Sequence, residues 1–196
     1  MQTTKTARIL TAVAATFGFV GTVCGVAQHS RAATAPIKRA TQDALVAPEL
    51  IGGPWVGEPT TLAANRGKVV LLTFWTNQCI NCKRTLPYWN HWAKKYGAAG
   101  KSSDVAVVSV HTPELASERL LSGVQESVKR NGILFPVLTD NASKNWNAYN
   151  VQVWPTTILI DKQGRIRNRW EGELDWENSG EYKRVGTAIE ALRREK

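Results

Sequence analysis

From Lys68 to Trp75 the chain runs Lys-Val-Val-Leu-Leu-Thr-Phe-Trp, β-branched, leucine and aromatic side chains with no charge after the first residue. A strand that is apolar on both faces must be covered on both, so this run predicts a central strand in a layered sheet. It breaks at the polar Thr76-Asn77-Gln78. Cys79 to Tyr96 follows as a helix, with Leu86, Trp89, Trp92, Ala93 and Tyr96 at spacings of three and four on one apolar face. Val105 to Val110 reads as a second buried strand. Glu114 to about Arg130 reads as a second helix, with Leu120, Val124 and Val128 in register, and Ile133 to Leu138 as a short apolar piece. Asn145 to Tyr149 predicts a further helical turn or two. Thr156–Ile160 and Ile166 to Trp170 form a strand pair across Asp161-Lys162-Gln163-Gly164. Gly180 to about Arg194 closes the chain as a helix striped by Val185, Ile189 and Leu192. Strands alternating with helices predict an α/β fold, a central mixed β-sheet flanked by helices. The Pro- and Gly-punctuated lead-in, residues 48–59, reads as irregular.

Two of the three cysteines, Cys79 and Cys82, form a C-x-x-C at that strand–helix junction. The first backbone N–H groups of a helix are unpaired and its dipole favours negative charge there. Cys79 is therefore expected to be partly thiolate near neutrality. Cys82 stands one turn on, within reach and more buried. Such a pair can carry thiol–disulfide exchange, Cys79 attacking a substrate disulfide and Cys82 resolving the mixed disulfide. Other readings stay open. A C-x-x-C is half a zinc site, but the other half needs two more ligands. Only His29, His91 and His111 are at hand, with His91 more than two helical turns past Cys82. No metal and no cofactor is assigned. A permanent structural disulfide suits an oxidising compartment, although closing so short a loop adds little stability.

The segment Phe74-Trp75-Thr76-Asn77-Gln78-Cys79-Ile80-Asn81-Cys82-Lys83-Arg84-Thr85-Leu86-Pro87 resembles the active-site segment of the thioredoxin superfamily. More narrowly, it resembles that of exported bacterial thiol–disulfide oxidoreductases of the TlpA-like and DipZ-like kind. Further features agree in order. Leu62 followed by Gly67-Lys68-Val69-Val70 resembles the family's lead-in. Val110-His111-Thr112-Pro113-Glu114 resembles the DipZ-type domain, Gly132 to Asp140 the TlpA-like insertion, and Trp154-Pro155-Thr156-Thr157 the cis-proline loop. The resemblance implies a thioredoxin fold with that insertion and a protein-disulfide oxidoreductase. It makes Cys79 (nucleophile) and Cys82 (resolving) the catalytic, redox-active disulfide, with Trp154 and Pro155 beside them as the substrate-binding loop. It also implies protein disulfide or dithiol substrates, a membrane thiol electron donor, and reduction as the direction, for example in cytochrome c maturation. A disulfide oxidase or isomerase, and a binding or scaffold module with a structural disulfide, are the alternatives. Three departures matter: Gln78 replaces a Trp, Ile80-Asn81 replaces Gly-Pro, and Thr73 stands where thioredoxin has a buried Asp. Threonine cannot take up a proton near neutrality, which leaves Glu171 and His111 as candidate acid/base helpers.

Lys5 and Arg8 precede an uncharged stretch, Ile9 to Ala27, the pattern of an export signal or an N-terminal anchor. Cys24 lies within it, as a small apolar residue. Residues 1–32 are read as signal peptide or membrane anchor, 33–47 as flexible linker, and 48–196 as the thioredoxin-like domain. That domain is expected in the periplasm or on the outer face of the cytoplasmic membrane, tied to the membrane if the segment is uncleaved. The net charge of +9 falls to +6 beyond residue 32, with 22 basic residues against 16 acidic. Arg165, Arg167 and Arg169 alternate as the outward face of a strand. Basic residues are not clustered with stacking aromatics, so no nucleic-acid partner is assigned. Of the eight tryptophans, Trp89 and Trp92 fit the helix core face and Trp75 and Trp170 strand positions, whereas Trp55, Trp146 and Trp176 stay unassigned.

Overall fold

A computed structural model describes residues 45–97 and 104–196. The segments read as signal or anchor (1–32) and most of the linker (33–44) lie outside the described residues. Among the described residues, no helix is long and apolar enough to cross a membrane.

Among the described residues the strands are β1 (Trp55–Val56), β2 (Val69–Trp75), β3 (Val105–His111), β4 (Val137–Thr139), β5 (Thr156–Ile160) and β6 (Ile166–Glu171). The helices are α1 (Ile80–Tyr96), α2 (Leu121–Arg130), α3 (Lys144–Ala148) and α4 (Glu181–Arg194). The strands form one sheet in the order β1-β4-β3-β2-β5-β6. β2 runs parallel to β3, and β3 parallel to β4. β2–β5, β5–β6 and β1–β4 are antiparallel, so the sheet is mixed, as expected.

All seven residues of β2 are buried, because alternate side chains serve different layers. Val69, Leu71 and Trp75 join Leu86, Trp89 and Trp92 of α1 and Val185, Ile189 and Leu192 of α4 in one core. Val70, Leu72 and Phe74 join Leu62, Tyr149 and Val151 in the other. α1 and α4 meet through aromatic rings: Tyr182 stacks on Trp92 at 5.0 Å and tilts against Tyr88 at 4.7 Å. The indole of Trp89, fully buried, donates to Thr157 Oγ1 on β5 at 3.1 Å, pinning α1 to the sheet by a polar contact inside apolar surroundings.

Three local expectations need correction. The helix expected from Glu114 to Arg130 is broken: Ala116–Arg119 is a 3-10 turn, Leu120 is extended, and α2 starts at Leu121. Leu120 is 66% exposed, so it does not belong to the buried stripe that Val124 occupies. The short apolar piece contains the true strand β4. The lead-in read as irregular contains β1, which pairs with β4 through Trp55 and Val56. Gly53 permits that approach, since a Cβ on it would lie 1.9 Å from the Thr139 carbonyl oxygen. At the other edge, Ala47 N donates to Gly164 O at 2.9 Å and Ile166 N to Leu45 O at 2.8 Å. Residues 45–47 are thus docked beside the β5–β6 turn.

The arginine stripe formed by Arg165, just before β6, and Arg167 and Arg169 within it is committed within the fold. The Asp161 carboxylate accepts from Arg165 Nε at 2.8 Å and Arg167 Nη1 at 3.2 Å. Arg167 also pairs with Glu195 at 2.6 Å. Arg169 bonds the Tyr149 carbonyl and lies 3.6 Å from Glu171.

The polar pin between α1 and β5 yields a prediction. Trp89→Phe leaves the Thr157 hydroxyl buried and unpaired, at a cost of about 1–3 kcal/mol. Urea unfolding should show a lower midpoint with an unchanged slope. A midpoint equal to wild type would mean that the contact carries no net stability.

Candidate active site

The polar turn after β2 brings the chain to the head of α1, and Cys79 occupies the N-cap with extended φ/ψ of −66° and 112°. Its Sγ accepts from the Cys82 backbone N–H at 3.1 Å, satisfying one of the helix's orphan donors. Cys79 and Cys82 are joined by a disulfide. Their surroundings differ sharply. Cys79 is partly exposed, whereas Cys82 is fully buried in the core with Trp75, Leu86 and Trp89. Between them Ile80 is 57% exposed, an apolar side chain held in solvent at the rim. Thr85, one turn beyond Cys82, is buried and donates to the Asn81 carbonyl at 3.0 Å.

The Trp154–Pro155 peptide is cis. Pro155 is buried, and its carbonyl accepts from Gly172 N at 2.8 Å. Trp154 is partly buried against the core cluster that holds Cys82, and Cys79 packs on the same cluster. The indole N–H of Trp154 donates to the Thr112 carbonyl at 3.1 Å, and its ring lies 4.2 Å from that of Trp146. Trp146, unassigned from sequence, is therefore the backing of Trp154.

The candidate helpers separate clearly. Glu171 is exposed at the end of β6 and lines a surface cavity with Asn81, Arg84 and Trp176. Arg84 is paired with Glu173 at 3.1 Å and lies 5.9 Å from the Trp176 ring centroid. His111 ends β3 opposite Trp75, fully buried, with the two rings edge-on at 5.2 Å. Among the described residues, no hydrogen-bond partner reaches either ring nitrogen of His111, nor the hydroxyls of Thr73 and Ser109 on the same face of the sheet. Burial pushes the His111 pKa down to about 4, with the charge of Glu118 pulling the other way. His111 is thus neutral at ordinary pH. Among the described residues, no group of three or more His, Cys, Asp or Glu side chains could hold a metal ion.

The residue that sequence reasoning missed is Glu118. It is 2% exposed, and its carboxylate joins the turn before Cys79 to the loop after β3. Oε1 accepts from Thr76 Oγ1 at 2.6 Å and Gln78 N at 2.8 Å; Oε2 accepts from Glu114 N at 2.9 Å and Leu115 N at 2.8 Å. Burial alone would raise its pKa, but these four donors outweigh that and hold the carboxyl below the usual range. Between Ser117 and Arg119, nothing in the local pattern distinguishes it from a solvated helix residue.

The chain matches the family described as Thioredoxin-like over residues 67–166. DipZ of Mycobacterium bovis is 40% identical over 119 residues, which is 61% of this chain and 16% of DipZ, so the chain spans only a small part of that protein's length. The thiol-disulfide oxidoreductase ResA of Geobacillus kaustophilus is 33% identical over 132 residues, 67% of this chain and 71% of ResA. A solved thiol-disulfide isomerase from Corynebacterium glutamicum superposes with a TM-score of 0.63 over 76% of this chain and 98% of that one. At 24% identity it shows a likeness of fold.

His111 should leave a mark on acid stability. Its pKa falls from 6.5 in the unfolded chain to about 4 in the fold, so between those values the unfolded state binds more protons. Stability therefore drops as pH falls through that window, and the penalty is complete below it. His111→Phe removes the penalty: in urea titrations its stability relative to wild type should grow steadily from pH 7 to pH 4. A pH-independent difference would show that His111 does not titrate as described.

Proposed function

Because the chain belongs to the thioredoxin-like family and is a protein-disulfide oxidoreductase, we propose that it is an exported reductase of protein disulfides. Cys79 is the nucleophile and Cys82 the resolving thiol. The asymmetry of the pair carries this reading: Cys79 caps α1 within reach of solvent, while Cys82 is sealed in the core behind it. In the dithiol form, the helix N-terminus favours the Cys79 thiolate. That thiolate attacks one sulfur of the client disulfide, forming a mixed disulfide and releasing the first client sulfur as thiolate. Cys82 then gives up its proton, which neutralises the client thiolate released in the first step, and attacks Cys79 Sγ. The mixed disulfide breaks, the second client thiolate leaves, and the Cys79–Cys82 disulfide remains. The client gains two electrons, and the pair loses two.

The client segment lies extended along the Trp154–Pro155 backbone, a short strand addition beside the cysteines. The Trp154 ring, tied to Thr112 O and backed by Trp146, forms a fixed wall of that groove. A membrane thiol donor returns the pair to the dithiol, and cytochrome c maturation is a setting in which a reductase of this kind acts. Residues 1–32 deliver the domain across the membrane as a signal or hold it there as an anchor.

Trapping tests the exchange. Cys82→Ser should accumulate a mixed disulfide with client protein through Cys79, and Cys79→Ser should not. A protein that still captures its partner without Cys79 would be a binding module, against this proposal. Direction is read from the potential of the pair, expected near the reducing thioredoxin value of about −270 mV. A value near the roughly −120 mV of the oxidant DsbA would overturn the reductase assignment.

A further inference from the structure

The buried Glu118 carboxylate serves two segments that lie about 40 residues apart in the chain. Its Oε1 holds Thr76 and Gln78, the turn that delivers Cys79. Its Oε2 holds Glu114 N and Leu115 N, the start of the 3-10 turn after β3. The Gln78 side chain repeats the link, Nε2 donating to Ser117 Oγ at 3.1 Å. All four partners of the carboxylate are donors, so only a group with two acceptor oxygens fits. An amide would turn its NH2 toward one pair of N–H or O–H groups. The local helix is broken at this point, as expected if the carboxylate is drawn inward.

We propose that Glu118 is a positioning residue for the exchange at Cys79: it fixes the Thr76–Gln78 turn and sets a buried negative charge behind the nucleophile, opposing its thiolate. This rests on the reading of Cys79 as nucleophile. The helix N-terminus and the fixed carboxylate act on Cys79 with opposite sign, and a buried charge is poorly screened by solvent and salt. Other charges near the pair are Lys83 and Arg84 on α1, Glu114 on the loop after β3, and Glu171, Glu173 and Asp175 at and beyond the end of β6. Arg84 and Glu173 neutralise each other, and Asp175 bonds Tyr88. The Glu173 side chain is 9% exposed but already paired with Arg84, and the others reach solvent, whereas Glu118 is buried on four neutral donors. Two more titratable groups are buried nearby: His111, neutral at working pH, and Asp140, which accepts from Thr112 Oγ1 and from the Lys144 and Trp146 backbone N–H groups of α3. Glu118 therefore keeps the Cys79 thiolate fraction below what the helix alone would produce. A less stabilised thiolate means a less stabilised dithiol form, which moves the pair toward the reducing end.

The test is the pH dependence of iodoacetamide alkylation at Cys79 in the reduced full chain, with the redox potential measured against glutathione. Two variants should move the alkylation midpoint in opposite directions, which a merely structural role would not do. Glu118→Gln removes the charge, so the midpoint should fall by about half a pH unit, roughly a threefold rise in thiolate fraction below it, and the potential should become less reducing. Thr76→Val keeps the carboxylate but deletes the hydroxyl that shares its charge, so the midpoint should rise. A Glu118→Gln midpoint equal to wild type, or a fall in both variants, overturns the inference. Where Glu118→Gln does not fold, an unmoved midpoint in Thr76→Val overturns it alone. Preferential alkylation of Cys82 over Cys79 in the wild type would instead sink the nucleophile assignment, and this inference with it.

Discussion

Strand β2 is the constraint on which the rest of the structure depends. Its seven residues are buried on both faces and hydrogen-bonded along both edges, to β3 in parallel and β5 in antiparallel. A parallel neighbour requires a crossover, and α1 supplies it while covering one face. The other face is closed by the lead-in and the α3 region through Leu62, Tyr149 and Val151. A strand held this tightly gives the turn that follows it a fixed starting point. Cys79 inherits its position from that turn.

The site is built on a contrast between apolar packing and a few expensive polar groups. Thr73, Ser109, Thr157 and His111 lie on the α1 side of the sheet, buried among large apolar side chains. Glu118 is costlier still, since an ionised carboxylate is expensive to bury unless fully hydrogen-bonded. Its four donors meet that condition, at the expense of a regular helix between Leu115 and Leu120. Local helix propensity yields there to the demand of two distant turns.

Much of this architecture was legible in the chain's own patterning. The unbroken apolar run of β2, the three-and-four spacing of α1 and the stripe of α4 each state which faces are buried, because those periods follow from backbone geometry. The resemblance carried by Cys79, Cys82 and the Trp154-Pro155 loop brought in the fold. β1 and β4 were not legible, since two- and three-residue strands are too short for any period to show. The pairing of Trp146 with Trp154 was equally hidden, because no helix or strand period relates a residue of the short α3 to one in the loop that follows it.

The sequence by itself determined where the dithiol sits, at the head of an amphipathic helix that a buried strand delivers, because both facts are written in local spacing. Only the tertiary structure decided what stands behind it. Glu118 binds one hydroxyl and three backbone N–H groups, and backbone N–H groups are common to nearly every residue, so no spacing announces the pairing. The same holds for Arg165, Arg167 and Arg169, whose alternation is visible in the chain. Their partners, Asp161, Glu195 and the Tyr149 carbonyl, are chosen only when the sheet and the chain's end come together.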